Sequence, residues 1–541
     1  MTTQTPPKPA AYRSALTRGG DGFGRLLHAE WTKLRTVRRW TIVMVSAVAV
    51  TILVSTLAAG GGSVSGGGGG APPRGPDGSR VVDGFQFVGQ PLVGDGTVTA
   101  RVTGLTRDTT AEEDELGRGL GGGKPSPWAK AGVIVKASTT PGSTYAAMML
   151  TQAHGVRFQS DFTLDRAGSS APPSAPRWLR LTRAGNVVTG YESADGAVWD
   201  KVGSATLSGL PASAEVGLFV TSPGVFAVER AFGSTSVEGG PASATGTFDK
   251  FSVEGRTEGS VRGVDVGAPP RGPRVPGDGP KGPAGPAGEG LGPEGPGNNS
   301  ASESGGVHTL TASGDIAPVE DETDLAQRSL EGAMIGLIPL AALGVLFITS
   351  EYRKGMILTT FTASPRRGRV LAAKALVLGA ATFAVGLVAS VASFLIGQPL
   401  LRSSGHKPPQ FPEPSLGDGR VFAAVVGTAA VLALIAVFAM ALGALLRNTA
   451  AAVSVVIVLL VLPQILLSGL PMDAARFIMQ ATPVAGFAVQ RTTDDFSQVD
   501  SACLPEDGCY PQAPWAGLGV LFLYALVALA LAVWRVRRRA A

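Results

Sequence analysis

The sequence predicts a multi-domain protein, in which an α-helical polytopic membrane domain of six transmembrane helices carries an all-β sandwich domain inserted after its first helix. Three observations predict it. The 541 residues are 44% hydrophobic and 16% charged, with a mean hydropathy of +0.22, more apolar than a soluble chain of this length. The apolar residues are concentrated in one run near the start and in five more after residue 330. Between them the sequence turns polar and Gly-rich and carries short alternating runs.

A bilayer core needs about 20 mostly apolar residues in a helix. The segments Trp40–Ala59, Gly332–Ser350, Leu371–Ile396, Val421–Leu446, Ala450–Leu470 and Trp515–Trp534 reach that length. An even number of spans places both termini on one side, and Lys and Arg in short flanking loops mark that side as the cytoplasm. Arg25, Lys33, Arg35, Arg38 and Arg39 precede the first span; Arg353, Lys354, Arg366, Arg367 and Arg369 lie between the second and third; Arg535, Arg537, Arg538 and Arg539 follow the last. One topology in the plasma membrane brings all three groups inside and leaves the inserted domain outside. The net charge of +5 therefore reports topology rather than nucleic-acid binding. The first apolar run, preceded by 39 residues, is too long and too late for a secretory signal and reads as an uncleaved anchor.

Residues 60–331 separate the first two spans. Gly60–Gly70 is almost entirely Gly and Ser and reads, with the residues up to 81, as a flexible tether. Over 82–255, runs such as GTVTARV (96–102), AGVIVKA (131–137), RWLRLTR (177–183) and AEVGLFV (214–220) alternate with period two, the signature of half-buried strands. Turn signals at Ala184-Gly185-Asn186 and Ala194-Asp195-Gly196 divide 177–202 into a three-stranded antiparallel meander, which a two-sheet sandwich would close. Residues 256–331 are Gly-, Pro- and acid-rich, with four collagen-like triplets in GPKGPAGPAGEG (279–290), too few for a triple helix, and read as a disordered spacer. On this reading the outer domain hangs on two loose tethers.

The only two cysteines, Cys503 and Cys509, lie six apart in the last loop assigned to the outside, where a local disulfide closing CLPEDGC is expected. The sequence presents no catalytic or metal-ligating constellation. Ionisable groups, which ion-coupled transporters need within their spans, are missing from five of the six segments; the third holds Lys374 alone. GLGGGKPS (119–126) departs from the phosphate-loop pattern at Arg118 and Pro125. No strand carries an E-x-D-x-E cluster for glycoside hydrolysis.

Two segments on the basic side are more specific. LLHAEWTKLRTVRRW (26–40) sets Leu26, Leu27 and Trp31 beside Lys33, Arg35, Arg38 and Arg39, as an interfacial helix would. ITSEYRKGMILTTFTASPRRGRVLAAKAL (348–376) has a charged start, an apolar middle and a basic exit, and is far longer than a connector between two helices needs to be.

These segments, EWTKLRTVR (30–38), SEYRKGMILTTFTASPRRGRVLAAK (350–374) and LPMDAARFIMQATPVAGF (470–487), together with the six spans, resemble the type-2 ATP-binding-cassette permease family. The resemblance implies a homodimer or heterodimer of six-span subunits joined to cytoplasmic ATPase subunits. Those subunits, not this chain, would bind ATP and Mg and move a substrate outward by alternating access. It also implies an ATPase-coupling segment at 351–370, with Glu351, Tyr352, Arg353, Lys354, Gly355, Met356, Phe361, Arg366 and Arg367 as contact or orienting residues. Glu30, Trp31, Lys33 and Arg35 would lie on an elbow helix beside it. The large insertion departs from that family, whose first external loop is short.

The inserted region itself resembles the concanavalin A-like jelly-roll domains through FQF (85–87), GDGTVTARV (94–102), WAKAGVIVKAS (128–138), HGVRFQSDF (154–162) and WLRLTRAGN (178–186). That resemblance implies possible glycan contacts at Trp128, Trp178, Tyr191 and Trp199, with Lys130, Arg157 or Asp161 as polar partners. A membrane-anchored surface glycan-binding or sensing protein is the alternative function.

Overall fold

The computed structural model describes residues 22–61, 72–108, 126–231, 234–240, 242–267, 299–320, 324–356, 366–408, 411–467, 469–500, 504 and 509–538. Among them, six helices are long and apolar enough to cross a membrane. They are α2 (Arg38–Gly60), α4 (Ala333–Arg353), α5 (Arg367–Ser403), α6 (Gly419–Leu446), the broken pair α7 (Thr449–Leu460) and α8 (Leu462–Leu467), and α10 (Pro514–Arg538). The break after α7 sits where Pro463 lacks the N–H that would continue the helical ladder. Shorter helices α1 (Phe23–Thr36), α3 (Leu325–Arg328) and α9 (Met472–Ala481) flank the long ones.

Helix α6 is the most buried of the six and α2 the least. Small residues let the others approach α6 closely, the means by which helices associate where apolar solvent offers no hydrophobic drive. A Cβ on Gly344 of α4 would lie 2.2 Å from the Ala436 carbonyl oxygen, and one on Gly386 of α5 would lie 3.1 Å from the Ala429 Cα. Leu337, Phe347, Leu378, Ile435 and Met440 fill the core between them.

The inserted domain is a large antiparallel assembly. Strand β1 (Val81–Asp83) is followed by the long β2 (Phe85–Asp108), which pairs from Leu92 to Asp108 with β13 (Ser243–Thr257), with register shifts along the pair. One half of β2 pairs with β10 (Ser213–Thr221), which continues into β3 (Lys130–Lys136), β4 (Tyr145–Thr151), β5 (Val156–Ser160) and β6 (Leu164–Ala167). The other half pairs with β7 (Arg177–Ala184), which leads into β8 (Val187–Ser193) and β9 (Asp200–Thr206). This is the meander over 177–202, turning on Gly185 and Gly196 at φ 60° and 78°. Val133, Met148, Phe158, Leu179, Leu181 and Leu218 pack between the two leaves. β3 and β4 are buried on both faces, because Phe85, Ile134, Tyr145, Phe162 and Phe219 form a second core on the far side. Within that core Lys136 Nζ donates to Asp83 Oδ2 at 2.7 Å. Burial pushes the Asp83 carboxyl up and the Lys136 ammonium down.

Two expectations change. After the hairpin β11 (Val225–Ala231) and β12 (Ser234–Gly240), the main sheet continues beyond 255 through β14 (Arg262–Val266), β15 (Ser300–Ser304) and β16 (Val307–Ser313), and a short strand β17 (Ile316–Pro318) follows outside it. His308, Leu310 and Ala312 of β16 alternate inward, so part of the expected spacer belongs to the sandwich. The expected disordered span 268–298, with its collagen-like triplets, lies outside the described residues, as do residues 62–71 of the 60–81 tether; the rest of that tether is not a loose linker, since Arg74 and Arg80 form a β-bridge just ahead of β1. β17 also pairs with β1, Val81 opposite Pro318, which draws the entry and exit of the domain together and places the exit six positions before Asp324, the N-cap of α3. The sandwich is joined directly to the bundle on that side rather than hanging from a second loose tether.

Candidate functional site

Of the residues named above, those at one end of the bundle converge most closely. Lys374, about two turns into α5, is fully buried; its ammonium donates to Glu30 Oε2 at 2.6 Å and to Glu351 Oε1 at 2.8 Å. Lys33 Nζ donates to Glu30 Oε1 at 2.8 Å and to Glu351 Oε1 at 3.3 Å. Lys374 also lies 4.3 Å from the centroid of the Phe347 ring. Two carboxylates and two ammoniums thus join α1, the last turn of α4 and the first turns of α5 in a charge-neutral cluster.

The helices place these groups by ordinary periodicity. Glu30 and Leu34 lie one turn apart on the inward side of α1, while Trp31 between them is 47% exposed. Val37, in extended conformation, separates α1 from α2 and lets α1 pack against α5. Arg35, on the face away from the cluster, is exposed. Burial alone would raise the Glu30 carboxyl, but Lys374 and Lys33 outweigh it and hold it below its ordinary value. For Lys33 burial pulls downward and Glu30 and Glu351 more than compensate, so its ammonium sits above the ordinary lysine range.

The signs define a pH window. A carboxyl held low in the folded state contributes stability that is complete above the ordinary carboxylate range and is lost as pH falls through the lowered value. Thermal unfolding of the parent and of Glu30→Gln, followed in detergent against pH, should therefore show a difference in midpoint at neutral pH that shrinks on acidification. A difference unchanged at acid pH would mean that Glu30 acts through shape alone.

Beyond the cluster the chain becomes accessible. Tyr352 packs under the Arg447 guanidinium, 5.2 Å from its ring centroid, but Arg353, Lys354, Gly355 and Met356 are exposed, Met356 by 46%. Gly355 turns the chain away from α4 at φ 70°, a conformation glycine adopts without steric cost. Arg366 is exposed and Arg367 half-buried at the return into α5; Phe361 lies outside the described residues. Glu351 and Arg353 were expected to act alike. The structure separates them, with Glu351 inside the ion cluster and Arg353 at the surface.

In the sandwich, three of the four aromatic residues come together. Trp178 and Arg180 alternate on the outward face of β7; Arg180 is opposite Tyr191 and its guanidinium lies 3.7 Å from the Trp199 ring centroid. Trp199 Nε1 donates to the Gly196 carbonyl at 3.2 Å, and the Arg101 guanidinium sits 5.6 Å from Trp178. Trp128 is elsewhere, buried and stacked on His154 at 4.0 Å. The polar partners expected for the four aromatics are also engaged inside the domain: Lys130 pairs with Asp315 at 2.6 Å, Arg157 with Asp165, and Asp161 accepts from the Tyr145 amide at 3.1 Å. Cys503 lies outside the described residues, and Cys509 carries no free thiol.

Lys374 was visible in the sequence as the one charge within the apolar segments. The signal that gives it a role is Glu30, 344 positions away, which only the fold brings near.

No family model and no curated protein matches the chain. Solved structures match part of it. A functionally unknown protein from Saccharomyces cerevisiae is 17% identical over 32% of this chain and 75% of its own, with a TM-score of 0.21. Scytalido-glutamic peptidase, solved with a transition state analog inhibitor, is 10% identical over 44% of this chain and 100% of its own, with a TM-score of 0.23. At these scores the likeness carries no statement about activity.

Proposed function

We propose that this chain is the membrane-spanning permease subunit of an ATP-binding-cassette exporter, working as a homodimer or heterodimer with separate cytoplasmic ATPase subunits that bind ATP and Mg. The observation that carries the reading is the charge cluster together with what lies beside it. Lys374 and Lys33 bind Glu30 and Glu351, which ties α1 to the facing ends of α4 and α5. Immediately after this rigid support come exposed Arg353, Lys354 and Met356, and across the connection exposed Arg366. Basic groups with an apolar side chain, mounted where three helices are held together, suit a surface that receives force from a partner and passes it into the bundle.

On this proposal the six apolar helices span the plasma membrane, both termini and the 351–367 connection are cytoplasmic, and the sandwich is outside. Glu30 and Glu351 position the coupling surface, and Arg353, Lys354 and Met356 touch the partner. The Cys503–Cys509 disulfide belongs to the same topology, in an oxidising exterior. The second reading, a membrane-anchored surface protein that binds glycans, is favoured by the strip that gathers Trp178, Tyr191 and Trp199 around Arg180 on one face of the meander.

Purified in mild detergent from its own membrane, the tagged chain is expected to carry magnesium-dependent ATP hydrolysis. A preparation that is folded and inert toward ATP, yet retained by immobilised envelope glycan, would favour the second reading.

A further inference from the structure

At the opposite end of the bundle, the segment 491–500 is held by three parts of the molecule at once. Asp324, at the N-cap of α3, accepts hydrogen bonds from the Thr492 amide, from Thr492 Oγ1 at 2.8 Å and from the Thr493 amide at 3.2 Å. Glu320, two residues beyond β17, accepts from the Phe496 amide at 2.8 Å. Arg420 at the start of α6 pairs with Asp494 at 2.6 Å. Just before the segment, Gln490 Nε2 donates to the Leu330 carbonyl at 3.3 Å and to Thr428 Oγ1 of α6 at 3.2 Å.

The third holder is the sandwich. Gln498, 3% exposed, donates its side-chain amide to the Phe162 carbonyl at 3.1 Å. Phe162 and Asp161 both have left-handed backbones, at φ 66° and 47°, in the turn between β5 and β6. Two consecutive non-glycine residues in this region store strain, which persists where surrounding structure holds it and which gathers at functional positions. Here the turn is pinned by the Tyr145–Phe162 ring contact at 4.9 Å, and it aims its carbonyl at Gln498. Two residues on, Asp500 is half-buried beside the sandwich's Lys130, His154 and Asp315, and burial pushes its carboxyl up.

We infer that the sandwich is a latch: it holds the 491–500 segment of its own chain as a resident ligand and thereby ties the α3 turn that leads into α4 and the start of α6 into one unit. A rearrangement that separates the two must carry the sandwich with it or break the Gln498–Phe162 contact. The inference rests on contacts within the chain and stands whether or not an ATPase subunit is found.

Amide hydrogen exchange of the full chain in lipid nanodiscs tests it. In the parent, the peptide covering 491–500 should exchange slowly. Gln498→Ala leaves the buried Phe162 carbonyl without its donor, and exchange should rise about tenfold in both 491–500 and 160–164. β3 and β4 serve as the control for an intact fold and should be unchanged. Glu320→Ala should speed exchange around Phe496, and Glu320→Gln, which keeps an acceptor oxygen, should restore protection. Fast exchange of 491–500 in the parent, or an unaffected 160–164 in Gln498→Ala, would overturn the latch.

Discussion

Lys374→Met is expected to destabilise the bundle by about 3–5 kcal/mol, the cost of removing one partner from a buried ion group and leaving the other charged. Methionine matches the length of the lysine stem, so the space stays filled. What is lost is the charge between Glu30 and Glu351, which would then share Lys33 alone, and Lys33 is 40% exposed in its side chain. The expected result is a lowered thermal midpoint in detergent and reduced abundance in the membrane. Lys374→Met combined with Glu351→Gln restores neutrality and leaves the Lys33–Glu30 pair intact, so it should recover a large part of the loss. A double variant no better than the single would show that Lys374 acts by packing rather than by charge.

Gly344→Val carries the second large effect. The Cβ of any residue there meets the Ala436 carbonyl oxygen at 2.2 Å, and this oxygen belongs to helix backbone that has no rotamer to yield. Helices α4 and α6 must then separate along the best-packed contact of the bundle, at a cost of about 1–3 kcal/mol or more. Gly519→Ala in α10 is the matched control: nothing lies within 4 Å of its Cβ, and an alanine there should be neutral or slightly stabilising through helix propensity. Equal midpoints for the two variants would contradict the packing described for α4 and α6.

The legibility of the molecule follows the range of the forces. Long apolar segments reveal themselves because each is a local property of about 20 residues. The meander over 177–202 was legible for the same reason, from strict alternation and from glycines at the two turns. The strand Val307–Ser313 alternates just as cleanly, but its Gly- and Pro-rich surroundings gave it the character of a spacer, and its partner β13 lies far back in the chain. The pairing of Val81 with Pro318 has no local trace.

The same distinction runs through the site. Lys374 stood out by its type, whereas Glu351 read as one more charge in a basic loop until the fold placed it against Lys374. In the sandwich, alternation alone did not tell which aromatic faces outward; the fold places Trp178 on the outer face of β7 and stacks Trp128 on His154 in the interior. The latch contacts, from Asp324 to Thr492 and from Gln498 to Phe162, join loops more than a hundred residues apart and left no pattern to read.

Placing Glu351 inside the ion cluster also decides how the proposed ATPase docking is to be tested, since its removal would damage the bundle and mimic a lost partner. Arg353 and Lys354 are exposed, and among the described residues neither joins the ion cluster. The direct measurement is to isolate the tagged chain from its native membrane in mild detergent and identify what accompanies it, comparing the parent with Arg353→Ala plus Lys354→Ala. The account predicts a nucleotide-binding subunit with the parent and its loss from the double variant, at unchanged thermal midpoint. A parent that purifies without any nucleotide-binding subunit, or a double variant that retains one undiminished, would contradict it.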